Sequence, residues 1–179
     1  MLRFDEADLR VLSRLARDGR ASWADLAGEI GLSPPAIAER VRNLQERGVI
    51  LGFGARLDSE AIGRGTAAFV SVTLARPEHR AGFLRWVQGA DDVLECHHVA
   101  GEGDYLLKVR VAGLRRLETM ISLEIKSIPG VAATRTTIVL SSEKEEALTP
   151  PLPPPARASS GHRAKVSIRR RGRKDGGAR

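Results

Sequence analysis

SWADLAGEIGLSPPAIAERVRNLQERGVI, Ser22 to Ile50, carries two helix signals separated by a three-residue turn. Ser22 followed three residues later by Asp25 has the form of a capping box, with aspartate in the usual Glu/Gln place. It predicts a short helix bearing Leu26, Ala27 and Ile30 that stops at Gly31. Ser33 then stands as an N-cap before Pro34, a residue favoured at the first helical position because its missing N–H would have no partner there. Ile37, Val41 and Leu44 recur at four- and three-residue intervals and mark one buried face, up to Gly48. A short glycine-containing turn sets two such helices at the steep angle of a helix-turn-helix, whose second helix lies in a DNA major groove.

With that apolar face inward, a rotation of 100° per residue turns Pro35, Glu39, Arg42, Asn43 and Glu46 outward and leaves Ala36 and Arg40 on the flanks. Arg42 or Arg40 suits a guanine edge or a phosphate, Asn43 suits adenine, and Glu39 suits the amino group of cytosine. Ser33 and the free amides of the helix start suit a phosphate, with Pro34, Pro35 and Ala36 forming the first turn beside the groove. Upstream, Asp5 caps a first helix with Leu9, Leu12, Leu15 and Ala16 at helical spacing, closed by Gly19. Residues 1–52 therefore read as a winged helix-turn-helix; the alternative is a small bundle or a protein-binding winged module.

Beyond Val49 the periodicity changes. VILGFGARL is an extended connector, Asp58 to Gly63 a helical turn, and 53–64 the link between two units. Residues 65–146 then read as strand TAAFVSVTLA, a helix from near Pro77 carrying Phe83, Leu84 and Val87, and strand VLECHHVA. After a tight GEGD turn come strand YLLKVRVA, a single helix LRRLETMISLEIKSI offering Leu117, Ile121, Leu123 and Ile128 to the core, and strand VAATRTTIVLSS. The order βαββαβ is that of a ferredoxin-like α+β domain, an antiparallel sheet with both helices on one face. Residues 147–179 form a Pro-rich stretch and then a basic one, which reads as a disordered tail.

The net charge of +7 is unevenly placed. Nine Lys/Arg and one Asp lie between Thr149 and Arg179, so the preceding 148 residues carry a net −1. DNA binding by the folded part must come from local arginines and helix termini rather than from a global field. The first ten residues lack the basic start and apolar run of a secretory signal, and Thr66 to Ala75 is far shorter than the roughly 20 residues of a membrane helix. The single cysteine, Cys96, has no intramolecular partner, in keeping with a reducing, cytoplasmic setting.

Two smaller constellations carry chemistry. In the Gly101–Tyr105 turn the glycines allow close backbone approach to a ligand or a second subunit, and Asp104 suits a cation such as an amino group; the turn also reads as an ordinary β-hairpin. Cys96 and His98 alternate to one face of a strand and His97 to the other, too few on one side for zinc, so they read as structural. There is no phosphate-binding glycine loop, no GxSxG elbow and no nucleophile with a recognisable base, and nothing implies a metal or cofactor.

The chain resembles the Lrp/AsnC, or feast/famine, transcriptional regulators from about Phe4 to Lys144. The carriers are the stretch from Phe4 to Phe53, with its LSP helix start and following GVI, then VLECHHVAGEGDYLLKVRV and IPGVAATRTTIVLSSEK. The resemblance implies a homodimer formed by sheet pairing, commonly assembled into rings of four dimers, with small effectors, usually amino acids, between dimers. It implies that Gly101, Glu102, Gly103, Asp104, Tyr105, Thr134 and Thr136 contact the effector, with Asp104 on its α-amino group. Gly103 stands where family members often carry a larger residue, implying a wider or emptier pocket, and the basic tail departs from the usual compact ending. The same two-domain plan resembles sirohaem decarboxylase subunits, which keeps an enzyme as the alternative function through His97 and His98. A sensing module that regulates another protein rather than DNA is a third.

Overall fold

The computed structural model describes residues 3–146, 148 and 150. The tail expectation lies almost wholly outside them.

Three helices open the chain. Asp5 and Asp8 form a reciprocal capping box at the start of α1 (Glu6–Arg17), and Ser22 and Asp25 form another at α2 (Trp23–Ile30). Gly31 ends α2 at φ +82°, a left-handed conformation that glycine adopts without a Cβ penalty. Ser33 caps α3 (Pro34–Glu46) by accepting from the Ala36 amide, with Pro34 at the first turn. Val11, Leu15, Leu26, Ala27, Ile37, Val41 and Leu44 close one small core. No strand forms between α3 and the sheet, so the expected wing is replaced by an extended strap running from about residue 51 to a turn at 59–63.

The second unit is a four-stranded antiparallel sheet in the order β2-β3-β1-β4: β1 (Thr66–Leu74), β2 (Val93–His98), β3 (Tyr105–Val111) and β4 (Val131–Ile138). Alternation sends Val70 and Val72 of β1 and Tyr105, Leu107, Val109 and Val111 of β3 to one face. There they meet Phe83 of α4 (Arg80–Gly89), Leu117 of α5 (Leu114–Thr119), and Met120 and Ile125 of a π-helical turn that continues α5 over Met120–Ile125. The single regular helix expected over 114–128 is corrected by that turn. Its wider repeat places Met120 and Ile125, five residues apart, in the core, and turns Leu123 out to 68% exposure although it was expected inside.

The end of the β1–β4 pairing is pinned by Gly130, at φ +88°, whose carbonyl accepts from the Ala75 amide at 2.7 Å. A Cβ on Gly130 would overlap the His79 side chain at 2.0 to 2.4 Å. At the far side Glu145 crosses the uncovered sheet face, bonded to Lys108 at 2.6 Å and Arg110 at 2.9 Å, while Arg56 of the strap donates to its carbonyl. Lys108 holds the Glu145 carboxyl below its ordinary range, and Glu145 raises Lys108 in turn.

Candidate functional site

The outer face of α3 follows from its inner one. Ile37, Val41 and Leu44 are buried, so Pro35, Glu39, Arg42, Asn43 and Glu46 face solvent, as does Ser33 at the cap, while Ala36 is half-buried on the flank. Pro34 and its neighbours expose the helix start, where Ser33 occupies the Ala36 amide at 3.4 Å. Within this face the polar groups are already paired. The Arg42 guanidinium bonds Glu39 at 2.5 Å and lies 3.8 Å from Glu46, and the Asn43 amide donates to both the Glu39 carboxylate and the Glu39 carbonyl at 3.0 Å. Arg42 holds the Glu39 carboxyl below its usual range, and Glu39 raises Arg42.

Arg40 departs from its expected flank position. Its guanidinium turns to α1 and bonds Asp8 at 2.6 Å and Asp5 at 2.7 Å. Both carboxylates belong to the α1 capping box, so Arg40 ties the recognition helix to the first helix 32 residues upstream. Asp8 in particular is buried. Of the two arginines that the sequence offered, Arg42 thus keeps its guanidinium on the outer face.

The second site lies at the end of the sheet. A cleft of about 300 Å3 is lined by Leu74, Ala75, Arg76, Pro77, Arg80, His98, Asp104 and Tyr105. Asp104 is positioned by three bonds: its amide donates to Val72 O at 2.9 Å, its carbonyl accepts from the Val99 amide at 3.0 Å, and its Oδ2 accepts from the Leu74 amide at 2.7 Å. Oδ1 has no hydrogen-bond partner among the described residues. His98 stacks at 5.2 Å on Tyr105, which packs at 4.9 Å on Phe83, so the cleft wall is anchored in the core. Arg76 and Arg80 line the same cleft, Arg76 in an exposed ion pair with Glu78 at 3.7 Å, and the sequence reading missed both because their approach to Asp104 requires the turn after β1 to fold against β3.

The remaining effector candidates are placed less uniformly. Glu102 reaches across to Arg135 of β4 on the uncovered face, away from the cleft. Gly101 is exposed. Gly103 does not widen the pocket: a Cβ there would meet Ser71 Oγ at 2.3 Å and Val72 O at 3.2 Å, so the space is filled by β1 itself. Thr134 and Thr136 sit opposite Val72 and Val70 in the register, one strand beyond the cleft, and do not line it. Cys96 packs half-buried against the core, where burial pushes its thiol up, while His97 bonds Glu95 on the opposite face. Among the described residues no group of three or more metal-ligating side chains comes together, and no helix is long and apolar enough to cross a membrane.

The AsnC-type helix-turn-helix domain matches residues 4–45, and the Lrp/AsnC ligand binding domain matches residues 67–149. The leucine-responsive regulatory protein of Haemophilus influenzae is 36% identical over 143 residues, covering 79% of this chain and 86% of that protein. The chain belongs to the Lrp/AsnC family. It is a helix-turn-helix, DNA-binding transcriptional regulator with an α+β ligand-binding-type domain. Within the family it is also 39% identical over 138 residues to the transcriptional regulator LrpA of Mycobacterium tuberculosis, covering 77% and 91% of the two chains. A feast or famine regulatory protein of the same organism, solved complexed with L-methionine, superposes with a TM-score of 0.76 at 37% identity, over 82% of this chain and 99% of that one. These Lrp/AsnC relatives are named as regulators, so the sirohaem-type enzyme is not favoured.

Proposed function

We propose that this regulator is a cytoplasmic homo-oligomer, a dimer or a higher assembly such as an octamer, whose DNA binding responds to an amino acid. Residues 1–52 bind duplex DNA, 53–64 connect, 65–146 take the effector and self-associate, and 147–179 add a basic tail. In the DNA-binding unit, Arg42 and Asn43 read base edges with Glu39, Pro35 and Ala36 beside them, and the Ser33 hydroxyl at the positive end of the α3 dipole, ahead of Pro34, takes a phosphate. Arg40 orients α3 from behind. Paired recognition helices fall on successive half-sites of the duplex, and effector binding changes their spacing through the assembly.

The observation that carries the effector reading is the charge arrangement of the cleft. Asp104 offers a carboxylate oxygen to an ammonium group, and on the same lining Arg80, with Arg76 in exchange for its exposed Glu78 partner, offers a cation to a carboxylate, which is the pattern of an amino-acid zwitterion. The relative solved with L-methionine supports the same class of ligand. Gly101, Glu102, Gly103, Thr134 and Thr136 act around that cleft through the turn and through subunit contacts rather than by lining it.

The test is selection of bound fragments from a random duplex pool by the purified full chain, with and without a mixture of amino acids. A recovered preferred site whose affinity changes with the mixture supports both halves of the proposal. Recovery of nothing above random competitor overturns the reading of α3. A preferred site indifferent to all amino acids overturns the cleft.

A further inference from the structure

The DNA-facing unit is electrically balanced. Between Arg3 and Arg47 the chain holds eight arginines, eight carboxylates and no lysine. Half of those arginines are neutralised where they stand: Arg10 by Glu6, Arg14 by Asp18 and Glu29, Arg40 by Asp5 and Asp8, and Arg42 by Glu39. Arg47 is spent on the Arg3 carbonyl and the Phe4 ring. A helix that binds DNA mainly by charge presents unpaired cations to the phosphates. This one presents its one outward arginine and its one outward asparagine both bound to a single carboxylate.

We propose that Glu39 is a specificity-determining residue that withholds Arg42 and Asn43 from any duplex unable to replace it. The inference rests on the reading of α3 as the DNA-reading helix. When Arg42 leaves for a phosphate, Glu39 loses its cation and faces a polyanion unpaired, so the exchange is unfavourable on random sequence. When Arg42 takes a guanine edge and a cytosine amino group lies under Glu39, both partners are replaced at once, and the carboxylate becomes a contact instead of a penalty. Specificity then arises from repulsion at wrong sites as much as from attraction at the right one. The ordinary alternative is that Glu39 merely braces the helix through its i+3 and i+4 neighbours, which would affect stability and not discrimination.

Glu39→Gln separates these roles, because glutamine keeps an acceptor for Asn43 and removes the charge. The probes are the random duplex pool and the site that the wild-type chain selects from it, with binding measured across a salt series alongside thermal unfolding. We expect Glu39→Gln to bind random duplex about tenfold more tightly, to steepen the log–log salt slope by about 0.9, the increment of one phosphate contact, and to lose a cytosine preference at one position of the selected site. Glu46→Gln removes the same charge from the same helix, 3.8 Å from Arg42 and without the hydrogen bonds that Asn43 gives Glu39, and should change random binding less and the selected sequence not at all. The proposal is overturned if Glu39→Gln leaves random-duplex affinity unchanged, if it weakens both probes equally with a lower Tm, or if Glu46→Gln reproduces its whole effect. Failure of the wild type to select any site removes the α3 reading itself, whereas a selected site untouched by Glu39→Gln removes only the role of Glu39.

Discussion

Replacing Arg40 by alanine tests the division of labour between the two arginines of α3. Arg40 is one-third exposed, and it bonds Asp8, whose side chain is only 12% exposed, together with the more open Asp5. Removing the guanidinium leaves Asp8 with only the long 3.3 Å contact from the Asp5 amide. Loss of a hydrogen bond to a buried charged group costs about 1.5–3 kcal/mol, and partial solvent access brings this to about 1–2 kcal/mol. On a unit of this size the shift is about 5 °C or more in its Tm. The two tryptophans allow the units to be followed separately, since Trp23 lies on α2 and Trp86 on α4. In a Trp86→Phe background, Trp23 fluorescence during urea unfolding should show Arg40→Ala destabilised by this amount, while Arg42→Ala, fully on the outer face, leaves the midpoint in place and weakens DNA binding. Acid supplies a second reading. The Asp8 amide and then Arg40 hold Asp5 below its ordinary value of 3.8, so its contribution is present above that pH and lost as pH falls below it. Arg40→Ala should shrink that acid-linked loss without removing it, because the amide bond remains. An unchanged midpoint for Arg40→Ala, together with a loss of DNA affinity equal to that of Arg42→Ala, would refute the assignment of Arg40 to the scaffold.

Gly130→Ala combines a left-handed backbone with overlap of the His79 Cβ at 2.4 Å, so it should destabilise the sheet unit by about 2–5 kcal/mol in Trp86-monitored unfolding, and His79→Ala should rescue it only in part because that Cβ remains. Asp104→Asn keeps an acceptor for the Leu74 amide and removes the charge offered to an ammonium group; thermal shift assays with L-methionine and other amino acids should lose any stabilisation seen in the wild type while the unliganded Tm stays within about 2 °C. Deletion of residues 149–179 should weaken binding to every duplex and flatten the salt dependence while keeping the order of site preference, and equal affinity with and without those residues at low and moderate salt would count against a DNA role for them.

Much of the α3 surface was legible from order along the chain alone. Ser33, Pro34 and the Ile37–Val41–Leu44 spacing are local signals: a cap satisfies an amide three residues away, and helical periodicity needs no knowledge of what it packs against. The succession of strands and helices along the second unit was legible for the same reason, since alternation in Tyr105–Val111 is visible residue by residue. Only the folded chain could decide the rest, because the deciding partners are far apart in sequence. Arg40 was read as a flank residue free for a guanine or a phosphate until Asp5 and Asp8 came within reach of it, and Gly103 as an empty place until Ser71 proved to fill it. The π turn was invisible because one widened repeat in an otherwise helical run is chosen by the sheet beneath it, which accepts Met120 and Ile125 and leaves Leu123 outside. Local hydrogen bonds and periodicity thus set which segments are helices and strands, while packing and charge pairing across tens of residues set which side chains remain available to a ligand.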